Sequence, residues 1–138
     1  MEKLSLEEIL YMAHSLAKER LGFDEPIPDF TTRYPNILES CLAVPFQTFD
    51  KSELYPTLCN KAAILFYLMI KNHPFQNGNK RVAVTALLFF LAKNKKWIKV
   101  DVMSLYQFAV YIAKSDPKQK EKQHKYIKIF LETHMEPY

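Results

Sequence analysis

Glycine is almost missing from this chain: among 138 residues only Gly22 and Gly78 are glycine, where average usage would supply roughly ten. Dinucleotide and Walker loops need several glycines within a few residues so that backbone amides can approach phosphates, and no such cluster exists here. Both classes are excluded. The same scarcity works against a hairpin-rich all-β fold, because two-residue hairpin turns draw on glycine. Cysteine is sparse as well. Cys41 and Cys59 lie in apolar stretches without Cys-x-x-Cys or Cys/His ligand spacing, which reads as two reduced thiols and not as a disulfide framework or a zinc site. A cytoplasmic protein is expected. Long apolar runs are also lacking: the richest, 62–70 and 82–92, fall short of the ~20 residues of a membrane span. Residues 1–10 carry Glu2, Glu7 and Glu8 and no apolar signal core, so neither a secretory leader nor a membrane partner is expected.

What remains is an ordinary globular composition, 49% hydrophobic and 25% charged, which excludes disorder and fibrous repeats. The length suits one domain of ~100–150 residues. Such a domain buries on the order of 68–70% of its unfolded surface and needs no disulfide or structural metal to fold. Lys and Arg number 19 against 15 Asp and Glu, a net charge of +4. That mild excess suits polyanions, nucleotides among them.

Periodicity points to helices. Ser5-x-x-Glu8 is a capping box, after which Leu6, Ile9, Leu10, Ala13, Leu16, Ala17 and Leu21 recur at helical spacing until Gly22, predicting a helix over 5–21. Residues 23–33 hold Pro26 and Pro28, show no period and read as a loop. Pro35 suits a first helical turn, and Ile37, Leu38, Cys41 and Leu42 predict a helix over 35–43. Residues 44–51 alternate apolar with polar and predict a short extended flap. Ser52 is the expected N-cap of a buried helix over 54–70, and a second nearly all-apolar segment follows at 82–92. Residues 97–100 read as extended, Asp101 caps a helix to about Lys114, and Asp116-Pro117 starts a last helix to about His134. The expected architecture is all-α: one compact bundle of about six helices with a short extended flap.

Chemistry concentrates between the two buried helices, in His73-Pro74-Phe75-Gln76-Asn77-Gly78-Asn79-Lys80-Arg81. Pro74 bars continuation of the first helix, Phe75 is an apolar plug, and Gly78 permits positive φ or close approach. Asn77, Gly78 and Asn79 then present free amides at a helix start, which is an anion site. Lys80 and Arg81 place two cations in that first turn, where the macrodipole disfavours each by about 0.3–1 kcal/mol. A bound polyanion reverses the sign. Ammonium, guanidinium fork and amides together suit a triphosphate. His73 beside them is a candidate base for a hydroxyl nucleophile, imidazole being the side chain suited to proton transfer near neutrality. His14, His124 and His134 lack such company and are expected at the surface or at helix edges.

This segment resembles the signature of the Fic/Doc family, H-P-F-x-[D/E]-G-N-[G/K]-R, and the similarity continues through Leu38-Glu39-Ser40, Glu53-Leu54-Tyr55-Pro56, Lys61-Ala62-Ala63 and Leu87-Leu88-Phe89-Phe90-Leu91. It covers roughly 4–133, taken as a single Fic/Doc domain. The short length and Lys80 look most like the death-on-curing (Doc) branch, the toxin half of a toxin–antitoxin pair. The resemblance implies that His73 deprotonates a Ser, Thr or Tyr hydroxyl of a target protein, which attacks a phosphorus of ATP. Gly78, Asn79, Lys80 and Arg81 would hold phosphate, and Phe75 would anchor the loop. A flap carrying Val44, Phe46, Thr48 and Phe49 would dock the target by strand addition. Lys at the position of Lys80 goes with transfer of the terminal phosphate in the Doc branch, whereas Gly there goes with AMP transfer, which is the alternative. The family carboxylate that ligates Mg²⁺ is replaced by Asn77, an amide that a hard cation prefers less. Ser15-Leu-Ala-Lys-Glu19-Arg20 matches all but the last position of the family's inhibitory helix, so a separate antitoxin is expected. Two other readings stay open. One is a catalytically weak Fic-like binding protein, resting on Asn77. The other is a helical nucleic-acid-binding domain resting on the basic run 118–125, which as a solvated helix face makes nucleic acid the less expected partner.

Overall fold

In the computed structural model, which describes residues 1–138, α1 opens on the expected capping box. The Ser5 hydroxyl accepts from Glu8 N at 3.1 Å, and Glu8 Oε1 accepts from Ser5 N at 2.9 Å. The helix runs as Leu6–Glu8, passes through a π-helical stretch Ile9–His14 and ends as Ser15–Arg20. A π turn holds an extra residue and leaves carbonyls without their usual partners. Side chains fill in: Thr85 Oγ1 donates to Ala13 O at 2.7 Å, and Ser15 Oγ to Leu10 O at 3.0 Å. The extra residue also rotates the buried face. Leu16, one of the predicted apolar set, is 43% exposed, while His14 is buried, against the expectation of a surface or edge position.

The second helix, α2, spans Pro35–Ala43 and buries Leu38 and Cys41. Burial pushes the Cys41 thiol up to about 12, so it stays protonated and inert. Neither cysteine is in a disulfide.

The flap is shorter than the sequence predicts. Residues Val44–Phe46 form a 3₁₀ turn, and the hairpin itself is β1 (Thr48–Phe49) paired antiparallel with β2 (Ser52–Glu53), Thr48 opposite Glu53 and Phe49 opposite Ser52. Phe46 is drawn out of the extended run because its ring packs edge-on against Phe90, centroids 6.2 Å apart. Asp50 and Lys51 turn the hairpin at φ 51° and 67°, the left-handed pair a two-residue turn requires, reached without glycine. Ser52 therefore sits in a strand and caps no helix. Pro56 keeps Tyr55 out of helical backbone, and Thr57 is the cap, accepting from Asn60 N at 3.0 Å.

Helix α3 (Leu58–Lys71) buries every residue from Lys61 to Ile70, and α4 (Asn79–Lys93) buries ten of its own. The two pack on each other at the centre, with α2, α5 and α6 around α3, and α1 and α5 against α4. Helix α5 (Val102–Ala113) is capped by Asp101, which accepts from Ser104 N at 2.9 Å. A 3₁₀ turn Pro117–Gln119 precedes α6 (Lys120–His134). Past it, β4 (Met135–Pro137) pairs antiparallel with β3 (Lys96–Ile98), a ribbon of which the sequence indicated one strand only. The result is a six-helix, all-α fold with two small ribbons. No helix is long and apolar enough to cross a membrane.

Candidate active site

Helix α3 stops at Asn72, and His73 follows exposed, at φ 52°. A non-glycine residue there carries backbone strain of order 1–3 kcal/mol and persists only where its surroundings over-determine it. They do. Pro74 O accepts from Tyr34 N at 2.9 Å, and Phe75, 2% exposed, is sunk among His14 and Phe30, with ring centroids 5.3 and 6.0 Å away. His14 Nε2 meets Pro28 O at 3.0 Å. Burial pulls the His14 pKa below its ordinary value, a shift that Lys18 adds to and the Pro28 bond and Asp29 oppose. The plug beneath the loop is therefore seated on a neutral imidazole.

Asn79 latches the loop from the other side. Its Oδ1 accepts from Phe75 N at 2.9 Å and its Nδ2 donates to Phe75 O at 2.8 Å, closing a ring across residues 75–79. The same Nδ2 lies 3.4 Å from His73 Nδ1, a loose contact that leaves the imidazole free to turn. Gly78 between them has φ 76°, and a Cβ there would stand 2.7 Å from Ile27 Cγ1. Only glycine satisfies both the backbone and the space.

Arg81 points inward, contrary to the expectation of a guanidinium displayed to phosphate. It is 2% exposed. Nη1 donates to Leu21 O at 3.1 Å and Phe23 O at 2.6 Å, Nη2 donates to Glu25 O at 2.7 Å, and the Phe23 ring lies 5.7 Å away. Helix α4 turns this position toward the end of α1, where three carbonyls beyond the last helical turn lack partners and converge on the fork. The charge still lies under the helix start, since a Cβ on Gly78 would be 3.4 Å from Arg81 Nη2.

The segment that Arg81 holds brings in a residue the sequence reading missed. Asn77 Nδ2 donates to Glu25 Oε2 at 3.2 Å and to Pro26 O at 3.4 Å. No local pattern singles out Glu25, whose partner is 52 positions away. The Asn77 amide and the Glu25 carboxylate thus meet at the helix start, with the amide nitrogen toward the carboxylate. No group of three or more His, Cys, Asp and Glu gathers anywhere in the fold. The Glu25 carboxylate, joined by the Asn77 amide oxygen once that amide turns from it, fits Mg²⁺ only in the regime where substrate phosphates and water supply most ligands. Lys80, half-buried in the first turn of α4, takes part in neither ion pair of the molecule.

Of the flap residues, Thr48 and Phe49 lie on the hairpin, Phe49 being 74% exposed, while Val44 and Phe46 sit half-buried in the preceding turn. Glu19 of the inhibitor-like pattern lines a groove with Tyr11, Met12, Thr85 and Phe89 and makes no ion pair with Arg81.

Comparison with known proteins bears on this constellation. The model of the Fic/DOC family matches residues 3–91, well over half of the chain, including the whole segment from His73 to Arg81. The protein named Toxin Doc from Mycolicibacterium smegmatis is 35% identical over 65 residues, 47% of this chain and 50% of that protein. The matched chain thus spans half the length of that relative. No solved structure matches. With the strained histidine, the latched loop and the start of α4 all falling within the matched residues, the chain belongs to the Fic/DOC family.

Proposed function

We propose that this protein is a Doc-like toxin that transfers the terminal phosphate of ATP to a Ser, Thr or Tyr hydroxyl of a target protein. The observation that carries the reading is the exposed His73, held at φ 52° beside the free amides that open α4. The triphosphate lies along that helix start, met by the amides around Gly78 and Asn79 and by the Lys80 ammonium, with the Arg81 charge beneath. Target backbone adds to the open edge of the hairpin at Thr48 and Phe49, bringing its hydroxyl to His73.

The unprotonated nitrogen of the His73 imidazole takes the hydroxyl proton, and the oxygen bonds to the γ-phosphorus as the bond from that phosphorus to the β,γ-bridging oxygen breaks. ADP leaves, and the imidazolium returns its proton to water. Asn79 keeps the loop that carries the ring latched, and Phe75 keeps that loop from collapsing. Mg²⁺ accompanying ATP would be held through Asn77 and Glu25, and it supplies charge neutralisation at the phosphates. Lys80 supplies part of the same neutralisation, which suits a site where Asn77 stands in place of a carboxylate. A separate antitoxin would keep such an activity in check in the cytoplasm.

The test incubates the purified protein with Mg²⁺, a bacterial lysate and either α- or γ-labelled ATP, with His73→Ala alongside. A protein band labelled only from γ-labelled ATP is the expected result. A band labelled only from α-labelled ATP replaces phosphate transfer by AMP transfer. No His73-dependent band with either label overturns the enzymatic reading in favour of a binding role, with Asn77 as the first residue to restore to Asp.

A further inference from the structure

Lys61 is the one lysine taken fully out of water, 1% exposed near the start of α3. A buried ammonium is costly unless each of its protons finds an acceptor. Here each does. Nζ donates to Pro45 O at 3.1 Å, Tyr55 O at 2.5 Å and Glu53 Oε1 at 3.0 Å, and the Phe46 ring lies 4.9 Å from it. These partners are not scattered. Pro45 is the root from which the flap departs, Tyr55 the root to which it returns, and Glu53 lies in β2 itself. Without this tether little would hold the hairpin down. Every residue from Gln47 to Leu54 is exposed, and a lone two-stranded hairpin is marginal in water.

We propose that Lys61 is the positioning residue of the flap: one buried ammonium sets where the hairpin edge stands relative to His73, just past the end of α3. The proposal rests on the reading that the flap receives the target. Helix α3 is the shared reference. Its early turns hold the flap through Lys61 and its last residue leads into His73, so a rigid rod fixes the spacing between the docking edge and the base. A charged tether is directional where an apolar one is not: three acceptors at fixed angles hold the hairpin in one pose.

Two variants test this. Lys61→Met keeps most of the volume and removes all three bonds. Glu53→Ala removes the flap-side partner, whose side chain is 49% exposed, and serves if the first variant fails to fold. Hydrogen exchange of the flap amides is read against that of α4 in the same molecules. The expected result is a loss of flap protection of about tenfold with α4 unchanged. With γ-labelled ATP and a dilution series of bacterial lysate, the half-saturating lysate concentration rises about tenfold while the plateau rate stays within about twofold, the signature of lost positioning for the target. Flap protection equal to the parent in both variants overturns the proposal. So does a loosened flap with an unshifted lysate curve, which would make the tether structural only. If the parent labels nothing, the phosphotransfer reading fails, while the exchange measurement still supports or overturns the hold of Lys61 on the flap.

Discussion

The two ends of α3 lead into connections that are held in opposite ways. After the helix, residues 73–79 are fixed from every side: a plug at Phe75, a two-bond latch from Asn79, a bond to Tyr34, and an obligatory glycine at 78. Before it, the hairpin stands in solvent and is tied at its base by a single ammonium. On the proposed function, redundant contacts suit a segment whose base has to stay within reach of a phosphate, since small displacements cost rate steeply. On the same reading, a single directional tether with an open edge suits a segment that accepts the target chain.

That contrast can be broken at several points. The largest effect is expected at His73. In His73→Ala, transfer falls by ~10²–10⁴-fold while the circular dichroism spectrum and melting temperature match the parent, because the side chain is exposed. A parent-like rate would remove His73 from the chemistry. Next comes Asn79→Ala, which leaves the buried N–H and C=O of Phe75 without partners. Stability should drop by about 2–4 kcal/mol, read as a fall in Tm of roughly 10 °C, with transfer lost as well. A Tm within a few degrees of the parent would mean that the loop is not latched through Asn79.

A smaller, pH-dependent effect should come from the seat of the plug. Because burial lowers the folded-state pKa of His14 below its ordinary value, the unfolded chain binds its proton more readily, and stability falls as pH drops below about 6.5 toward the folded-state value. Melting between pH 7.5 and 5.5 should show a decline of a few degrees that His14→Gln flattens, and an unchanged slope in the variant would assign the decline to other groups. The smallest structural effect belongs to the flap tip. Phe49→Ser should leave Tm within about 1 °C, since the ring is 74% exposed, yet raise the half-saturating lysate concentration several-fold. If it instead lowers Tm like a core substitution, the flap is not the open element described above.

Much of this was legible in the linear sequence. The capping box at Ser5 and Glu8, helix α2 over 35–43, the two apolar helices and the placement of the His73–Arg81 segment between them all follow from patterns that close within a turn or two. The positive φ of Gly78 belongs to the same kind. The errors lie where distant groups compete with local preference. Phe46 left the extended run for Phe90, the helix start moved from Ser52 to Thr57, and a π turn in α1 buried His14 and exposed Leu16.

By itself, then, the sequence determined the fold class and where the candidate segment falls in it, because caps, helical period and a proline–glycine punctuated loop are set by neighbours at most a few residues apart. Tertiary structure alone decided which way the functional groups face. Arg81 turned from the surface to the carbonyls of Leu21, Phe23 and Glu25, the Glu25 carboxylate arrived beside Asn77, and Lys61 became the tether of the flap. Each of these depends on a buried charge or donor finding acceptors wherever packing leaves them unpaired, a condition that residue spacing in the chain does not encode.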